Sequence, residues 1–226
     1  MESLKNDTVF FLGAGFSKAA GAPLQGELLA MVLDYEGHDD GNPINEYKNR
    51  LNQFLEDAFH LNDEQKRQFN LEDFYTPIDK CINDRISFRG YSVEYIRQIR
   101  NELSRLISIV IDSELANSTE DTTYLDDFCN YIIQNSKGSR NKKKCSIITT
   151  NWDILLDRRI FQILHNNRRQ DGRPSTIDHG THVVGLGEGR AQQIIPAMTA
   201  LSQRGFTVKL YKIHGSLNWL KCPSCD

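Results

Sequence analysis

Residues 8–18 read TVFFLGAGFSK, and this stretch decides the fold. Thr8–Leu12 is a short apolar run bounded by Asp7 and Gly13, which is typical of a buried strand in a parallel sheet. The glycines that follow predict a tight turn into a short helix, because glycine adopts backbone conformations that other residues avoid. The chain therefore begins with a strand, a glycine-rich turn and a helix.

A mostly helical pattern extends over residues 24–136. The clearest helix runs from Val93 to Ile111, where apolar residues recur every three or four positions and so line one face. Similar spacing predicts shorter helices near residues 28–33, 51–59 and 125–132. We expect a large helical segment between the glycine-rich turn and the rest of the sheet.

Strands and helices alternate in the second half of the chain. The predicted strands are Cys145–Thr149, Thr207–Ile213 and, from a weaker pattern, His182–Leu186; the predicted helices are Ile154–Leu164 and a segment from Pro196 to Gly205. Strands separated by helices imply right-handed crossovers and a parallel sheet. We therefore predict an α/β fold, a Rossmann-like parallel sheet with a large helical insertion. The sheet domain would comprise residues 1–23 and 139–221, and the insertion residues 24–138.

Composition excludes several classes of function. The chain has 226 residues, a net charge of −3 and 39% hydrophobic residues, whereas a general nucleic-acid binder needs a basic surface. No apolar run approaches the roughly 20 residues that span a bilayer, and the N-terminus lacks the apolar stretch of a signal peptide. Five cysteines without regular spacing suggest reduced thiols. We expect a cytoplasmic protein without membrane or direct nucleic-acid partners.

The glycine-rich turn is a candidate phosphate site. Gly13 and Gly15 would let a ligand approach the backbone, Ser17 offers a hydroxyl, and amides at the start of a helix attract a pyrophosphate. The dehydrogenase fingerprint has a third glycine where this chain has Lys18, and the next glycine is Gly21. This departure argues against hydride transfer. A tight turn without a ligand remains the alternative.

Polar side chains follow the two later strands. Asn151 and Asp153 come after the second strand and His214 after the third, at the edge where open α/β sheets bind ligands. Asn151 is both donor and acceptor, and a histidine such as His214 can take a proton from a hydroxyl or water. The alternatives are helix capping by Asn151 or Asp153 and a packed or surface role for His214. The other histidines are expected on the surface or in loops: His38, His60, His165, His179 and His182.

A cysteine pair lies near the end of the sequence. Cys222 and Cys225 have the spacing of half a zinc site, so residues 222–226 are the start of a possible zinc module. Because the sequence stops at Asp226, we expect a fragment of a longer protein. The remaining cysteines are expected in the core: Cys81, Cys129 and Cys145.

In their order and local spacing, these motifs resemble those of the sirtuin superfamily. The residues that carry the resemblance are Gly13, Ala14, Gly15, Phe16, Ser17, Gly21 and Pro23, then Thr149, Thr150, Asn151, Trp152 and Asp153, then His214, Gly215 and Ser216, and finally Cys222 and Cys225. Protein deacylases of the family have Asp-Phe-Arg where this chain has Leu24-Gln25-Gly26. With its long helical segment and Trp219 after the histidine, the chain looks more like the sirtuin-like NAD-hydrolysing effectors of prokaryotic anti-phage systems.

The resemblance implies an NAD⁺ hydrolase that releases nicotinamide and ADP-ribose. Asn151 and His214 would be catalytic, and Cys222 and Cys225 would hold a structural zinc ion. The NAD-binding residues would be Gly13, Ala14, Gly15, Phe16, Ser17, Gly21, Pro23, Thr150, Asp153, Gly215 and Ser216. Family members add strands after the histidine, so the sheet is expected to be incomplete here.

The resemblance also bears on partners and rival functions. It implies a homo-oligomer and, as a further partner, an ATPase or another defence-system protein. The rival functions are an NAD-dependent protein-lysine deacylase and a non-catalytic module that senses NAD or ADP-ribose.

Overall fold

A computed structural model describes residues 7–37, 43–136, 145–171, 175–179, 184–186, 194–196 and 206–216. The strands are β1 (Thr8–Leu12), β2 (Cys145–Thr149), β3 (Ser175–Asp178), β4 (Val184–Leu186), β5 (Ile194–Pro196) and β6 (Phe206–Lys212). The helices are α1 (Ala14–Lys18), α2 (Gln25–Asp34), α3 (Ile44–Phe59), α4 (Asp63–Gln68), α5 (Leu71–Asp84), α6 (Val93–Asn117), α7 (Thr123–Ser136) and α8 (Leu155–Asp171). The protein is a mixed α/β structure, mostly helical, as predicted.

Four of the described strands form a parallel sheet in the order β1-β2-β6-β3, and β4 and β5 form a separate antiparallel pair. The predicted strands β1 and β2 have their expected bounds, and β6 differs by one residue at each end. Strand β3 was not predicted, because Ser-Thr-Ile-Asp is too short and polar to show a strand pattern. The prediction of a helix beginning at Pro196 is wrong, since Pro196 is the last residue of β5.

The chain divides into two compact units: Met1–Ala20 with Glu120–Asp226, and Gly21–Thr119. This corrects the predicted insertion, residues 24–138, because helix α7 belongs with the sheet. Its apolar residues pack in the core of the sheet rather than among the helices of the insertion. Helical periodicity identifies an apolar face, but it does not tell which core that face joins.

One face of the sheet is covered by α7 and α8. The connections from β1 to β2 and from β2 to β3 advance in the same direction along the sheet, so right-handed crossovers place both helices on one face. The core between these layers comprises Leu125, Cys129, Ile132, Ile133, Cys145, Ile147, Leu156, Ile160, Leu164, Val208 and Leu210. Alternate residues point away from this core, and Val9 and Phe11 of β1 are exposed.

The helical unit has its own core, in which α3 and α5 pack against the long helix α6. Phe54 and Phe74 are fully buried there, with their ring centroids 6.1 Å apart. The ammonium of Lys66 is also buried and lies 2.9 Å from a carboxylate oxygen of Asp63. Gly21 opens this unit with φ +94°, a left-handed backbone conformation that favours glycine.

Candidate functional site

The three predicted motifs begin at the same level of the sheet. Leu12 of β1 is paired with Thr149 of β2, and Thr149 is paired with Lys212 of β6. Gly13, Asn151 and His214 follow these paired residues at the carboxyl edge. Neighbouring strands lie about 4.8 Å apart. This edge therefore brings three segments side by side: the glycine turn (residues 13–17), the Asn/Asp segment (residues 150–153) and the histidine turn (residues 213–216).

Asn151 joins the second motif directly to the first. Its Nδ2 donates to the carbonyl oxygen of Gly13 at 3.1 Å and to Oγ of Ser17 at 2.9 Å. The backbone amide of Thr150 donates to the carbonyl oxygen of Leu12 at 3.1 Å and extends the strand pairing. Residues 138 positions apart in sequence are therefore held together by the side chain that was predicted to be catalytic.

The other end of the Asn151 amide makes no hydrogen bond within the described part of the chain. Its Oδ1 is buried and without a partner there. Since the Gly13 carbonyl only accepts hydrogen bonds, Nδ2 must face it, and Oδ1 must be the remaining atom. A buried acceptor left without a donor costs about 1–3 kcal/mol, so this oxygen favours a ligand hydroxyl or a water as its partner.

The glycine turn is open but not left-handed. Gly13 has φ −109°, and the described non-helical glycines with positive φ are Gly21, Gly90 and Gly215. Gly13 and Gly15 therefore do not use the positive φ that glycine allows. A Cβ atom on Gly15 would meet nothing within 4 Å, whereas one on Gly13 would lie 4.0 Å from Oγ1 of Thr150. The turn leaves space above Gly15 for a ligand.

Helix α7 contacts the glycine turn through one hydrogen bond and two ring contacts. The hydroxyl of Tyr124 donates to the carbonyl oxygen of Phe16 at 2.6 Å, and the two rings meet edge to face with centroids 5.5 Å apart. The Phe16 ring also contacts that of Phe128, at 5.2 Å. Burial, and then the nearby carboxylate of Asp153, raise the pKa of Tyr124, so it stays a donor at neutral pH. The sequence analysis missed this residue, because α7 had been assigned to the insertion.

Asp153 caps helix α8. Its Oδ1 accepts a hydrogen bond from the backbone amide of Leu155 at 3.0 Å, and the residue is only 8% exposed. Capping was the alternative that the sequence left open for this residue, and the structure has it. One carboxylate oxygen is thus occupied by the protein.

A buried polar network lies beneath these strand ends. The side chain of Lys212 is 1% exposed, and its Nζ donates to Oδ2 of Asp157 at 2.9 Å and to the carbonyl oxygen of Asp153. Nε2 of His179 lies 3.9 Å from the other oxygen of Asp157. Sequence reasoning missed Lys212, although Val208, Leu210 and Lys212 alternate onto the same inward face of β6.

His179 lies in a loop, which is one of the two positions predicted for it, but its side chain is largely buried. Its side chain is 16% exposed, and it directly follows the unpredicted strand β3. The pKa of His179 is lowered, chiefly because the ring is buried and also because of the nearby ammonium of Lys212. The carboxylate of Asp157 and a hydrogen bond to the backbone of Leu210 raise the pKa and partly offset this effect. The imidazole is therefore held neutral at physiological pH.

His214 is exposed in the turn after β6. The backbone amide of Gly215 donates to the carbonyl oxygen of Lys212 at 3.1 Å, and Gly215 has φ +78°, which the turn requires. The hydroxyl of Ser216 donates to the carbonyl oxygen of Trp152 at 3.5 Å. The histidine turn is thus tied to the Asn/Asp segment on the neighbouring strand.

Other predicted residues fall in the helical unit or outside the described residues. Gly21 and Pro23 are part of the helical unit. Cys222 and Cys225 lie outside the described residues, as do Trp219, His38 and His182. Of the other cysteines, Cys129 and Cys145 are buried as predicted, while Cys81 is half-buried.

Neither a metal-binding cluster nor a membrane-spanning helix occurs in the described ranges. No group of three or more His, Cys, Asp or Glu side chains there could hold a metal ion. The helices described above are too short or too polar to cross a bilayer. In comparisons with known proteins, no protein-family model matches this chain, and no curated protein matches its sequence.

Proposed function

We propose that this protein is an NAD⁺ hydrolase with a Rossmann-like, sirtuin-like sheet domain. The observation that carries the proposal is the Asn151 side chain. Its amide nitrogen donates hydrogen bonds to the carbonyl oxygen of Gly13 and to Oγ of Ser17 in the glycine turn. Its buried Oδ1 has no hydrogen-bond partner among the described residues. The resemblance of the three motifs to those of the sirtuin superfamily supports the same conclusion.

In the proposed reaction, a water molecule attacks C1′ of the nicotinamide-bound ribose. The C1′–N bond breaks through an oxocarbenium-like transition state, and its electron pair returns to the nicotinamide nitrogen. The attacking water gives its proton to the imidazole of His214, and the products are nicotinamide, ADP-ribose and one proton. Positioning and preorganised polar groups provide most of the acceleration in such a reaction.

The partner of Asn151 is restricted by its other bonds. Both amide hydrogens are used on Gly13 and Ser17, so what Asn151 offers a ligand is an acceptor. An acceptor binds a water or a ribose hydroxyl but not the carbonyl oxygen of an acyl group. This acceptor is compatible with hydrolysis, in which a water molecule is the nucleophile.

The other residues have binding roles in this proposal. The glycine turn, residues 13–17, would hold the pyrophosphate, with the open space above Gly15 admitting it. Because Oδ1 of Asp153 caps helix α8, the nicotinamide carboxamide would bind its second oxygen. Thr150, Gly215 and Ser216 would line the ribose, and a zinc ion at Cys222 and Cys225 would be structural.

The biological setting proposed from the resemblance is anti-phage defence by NAD⁺ depletion. A cell tolerates such an enzyme only if it stays inactive until triggered, and assembly into a homo-oligomer or with an ATPase would provide the trigger. Light scattering of the purified protein, alone and after phage infection of its host, tests this part. A monomer under every condition argues against it.

The decisive experiment is NAD⁺ turnover by the purified protein, with nicotinamide and ADP-ribose separated by chromatography. Wild-type protein is compared with His214→Ala, Asn151→Ala and, as a matched control, His165→Ala, whose side chain is exposed on α8. We expect at least a 100-fold loss of turnover in the first two variants and none in the control. Wild-type rates in both site variants would refute the proposal. Product release only with an acetyl-lysine peptide would indicate the deacylase instead.

A further inference from the structure

We propose that Lys212 is a positioning residue that ties the Asn/Asp segment after β2 and helix α8 to the strand end that carries His214. The inference rests on the proposed function, because it concerns the same site. Lys212 would set the relative position of Asn151 and His214 without touching NAD⁺ itself.

The contacts of Lys212 span the site. Its Nζ donates to the carbonyl oxygen of Asp153, two residues after Asn151, and to the Asp157 carboxylate in the first turn of α8 at 2.9 Å. Lys212 itself lies two residues before His214 and is paired with Thr149, two residues before Asn151. One ammonium group thus connects the segments on both sides of the predicted reaction centre.

Stability alone does not account for a lysine at this position. The side chain is 1% exposed and extends from the apolar face of β6, after Val208 and Leu210. Burying an ammonium and a carboxylate costs several kcal/mol per ion before their attraction is counted, and well-packed apolar residues often replace such pairs without loss of stability. What an apolar residue does not supply is directed hydrogen bonds to two separate segments.

His179 provides an internal reporter of this network. The charged groups that face its ring are Asp157 on α8, Lys212 on β6 and Asp178, the last residue of β3. Lys212 lowers the pKa of His179, and Asp157 raises it. Without the ammonium of Lys212, the Asp157 carboxylate is the main nearby charge that acts on His179, and we expect the pKa of His179 to rise.

The test compares Lys212→Met, which keeps the length of the side chain, with Lys212→Arg, which keeps the charge and the donors. Lys209→Met is the matched control, because Lys209 lies on the same strand and points to the opposite face of the sheet. We expect Lys212→Met to lower kcat for NAD⁺ at least 100-fold with KM within threefold. Lys212→Arg restores at least a tenth of the rate, and Lys209→Met changes neither constant by more than twofold.

A second readout does not depend on turnover. In NMR spectra, Lys212→Met shifts the amide signals of residues 151–153 and raises the titration midpoint of His179, whereas Lys209→Met does neither. If wild-type protein releases no nicotinamide either alone or after assembly with its trigger, the proposed hydrolase fails, and the positioning role is judged on these spectra. Unchanged signals for residues 151–153, or kcat within threefold of wild type in folded Lys212→Met, would overturn the positioning role.

If Lys212→Met does not fold, Asp157→Asn tests the same connection from the other side. The amide keeps the shape of the carboxylate but removes its charge. A kcat reduced at least tenfold at unchanged KM supports the positioning role, and an unchanged kcat rejects it.

Discussion

The hydrogen bond from Tyr124 to the glycine turn offers a clean test of how that turn is held. Tyr124→Phe removes only the hydroxyl that donates to the carbonyl oxygen of Phe16 at 2.6 Å, and it leaves the ring contacts with Phe16 and Phe128 in place. A neutral hydrogen bond contributes about 0.5–1.5 kcal/mol net, so we expect the free energy of unfolding to fall by about 1 kcal/mol.

The same energy has a consequence for binding. If the hydroxyl holds residues 13–17 in the form that binds pyrophosphate, 1 kcal/mol corresponds to an increase of about fivefold in KM for NAD⁺, with kcat nearly unchanged. Urea titration measures the free energy of unfolding, provided that its slope against urea concentration is the same in the variant and the wild type. Steady-state kinetics of nicotinamide release measure KM for NAD⁺.

Tyr131→Phe is the matched control. Tyr131 is on the same helix, its ring packs on that of Phe10 at 6.2 Å, and its hydroxyl makes no hydrogen bond to the described residues. We expect this variant to unfold like the wild type within about 0.3 kcal/mol. A Tyr124→Phe variant that is indistinguishable from Tyr131→Phe in both stability and KM would refute the role assigned to the hydroxyl.

Two further predictions concern packing. Gly21→Ala is expected to lower stability by about 1–3 kcal/mol, because Gly21 has φ +94° and an added Cβ would lie 2.3 Å from Oγ of Ser118. Gly26→Ala should instead stabilise the protein by up to about 1 kcal/mol, because Gly26 lies in helix α2 and an added Cβ would meet nothing within 4 Å. Thermal unfolding of both variants measures the two effects. Equal unfolding midpoints would contradict the strain assigned to Gly21→Ala. Burial raises the pKa of Cys129 to about 12 and that of Cys145 to about 11, so both thiols should resist iodoacetamide at pH 8 in the native protein and react once it is unfolded. Because the folded pKa values are raised, the stability from these neutral thiols is present below the ordinary thiol pKa and is lost as pH rises through about 11–12; peptide mapping that finds rapid native alkylation at either cysteine contradicts this.

The strands that could be predicted are those whose sequence is apolar without interruption. Thr8–Leu12 lies at one edge of the four-stranded sheet and Cys145–Thr149 lies between two strands, and the mostly apolar composition of each run alone marks it as a strand. Among the described strands, β3 lies at the other edge, beside β6, and its four residues Ser-Thr-Ile-Asp include a single apolar one. The polar motifs could be placed at one edge for the same reason, since they follow the recognisable strands.

The support of the site could not be predicted in the same way. Lys212 and Asp157 look like surface charges in sequence, because local pattern does not reveal that each neutralises the other in the interior. The burial of the His179 side chain could not be predicted, since the strand before it was not recognised. Tyr124 was assigned to the wrong unit with α7. Each of these contacts joins residues far apart in sequence, and a local period does not identify the partner.

The helical unit explains how a site can be assembled from segments so distant in sequence. Gly21 begins the unit, and Ser118, near its end, lies so close to Gly21 that a Cβ on that glycine would contact its side chain. The inserted unit therefore starts and ends at nearly the same point, and the crossover from β1 to β2 does not need to stretch around it. Even for a flexible connection, each doubling of loop length costs only about 0.6 kcal/mol, and a folded insert with adjacent ends costs less. Gly13 and Asn151, 138 positions apart, can thus meet at little more entropic cost than in a short crossover.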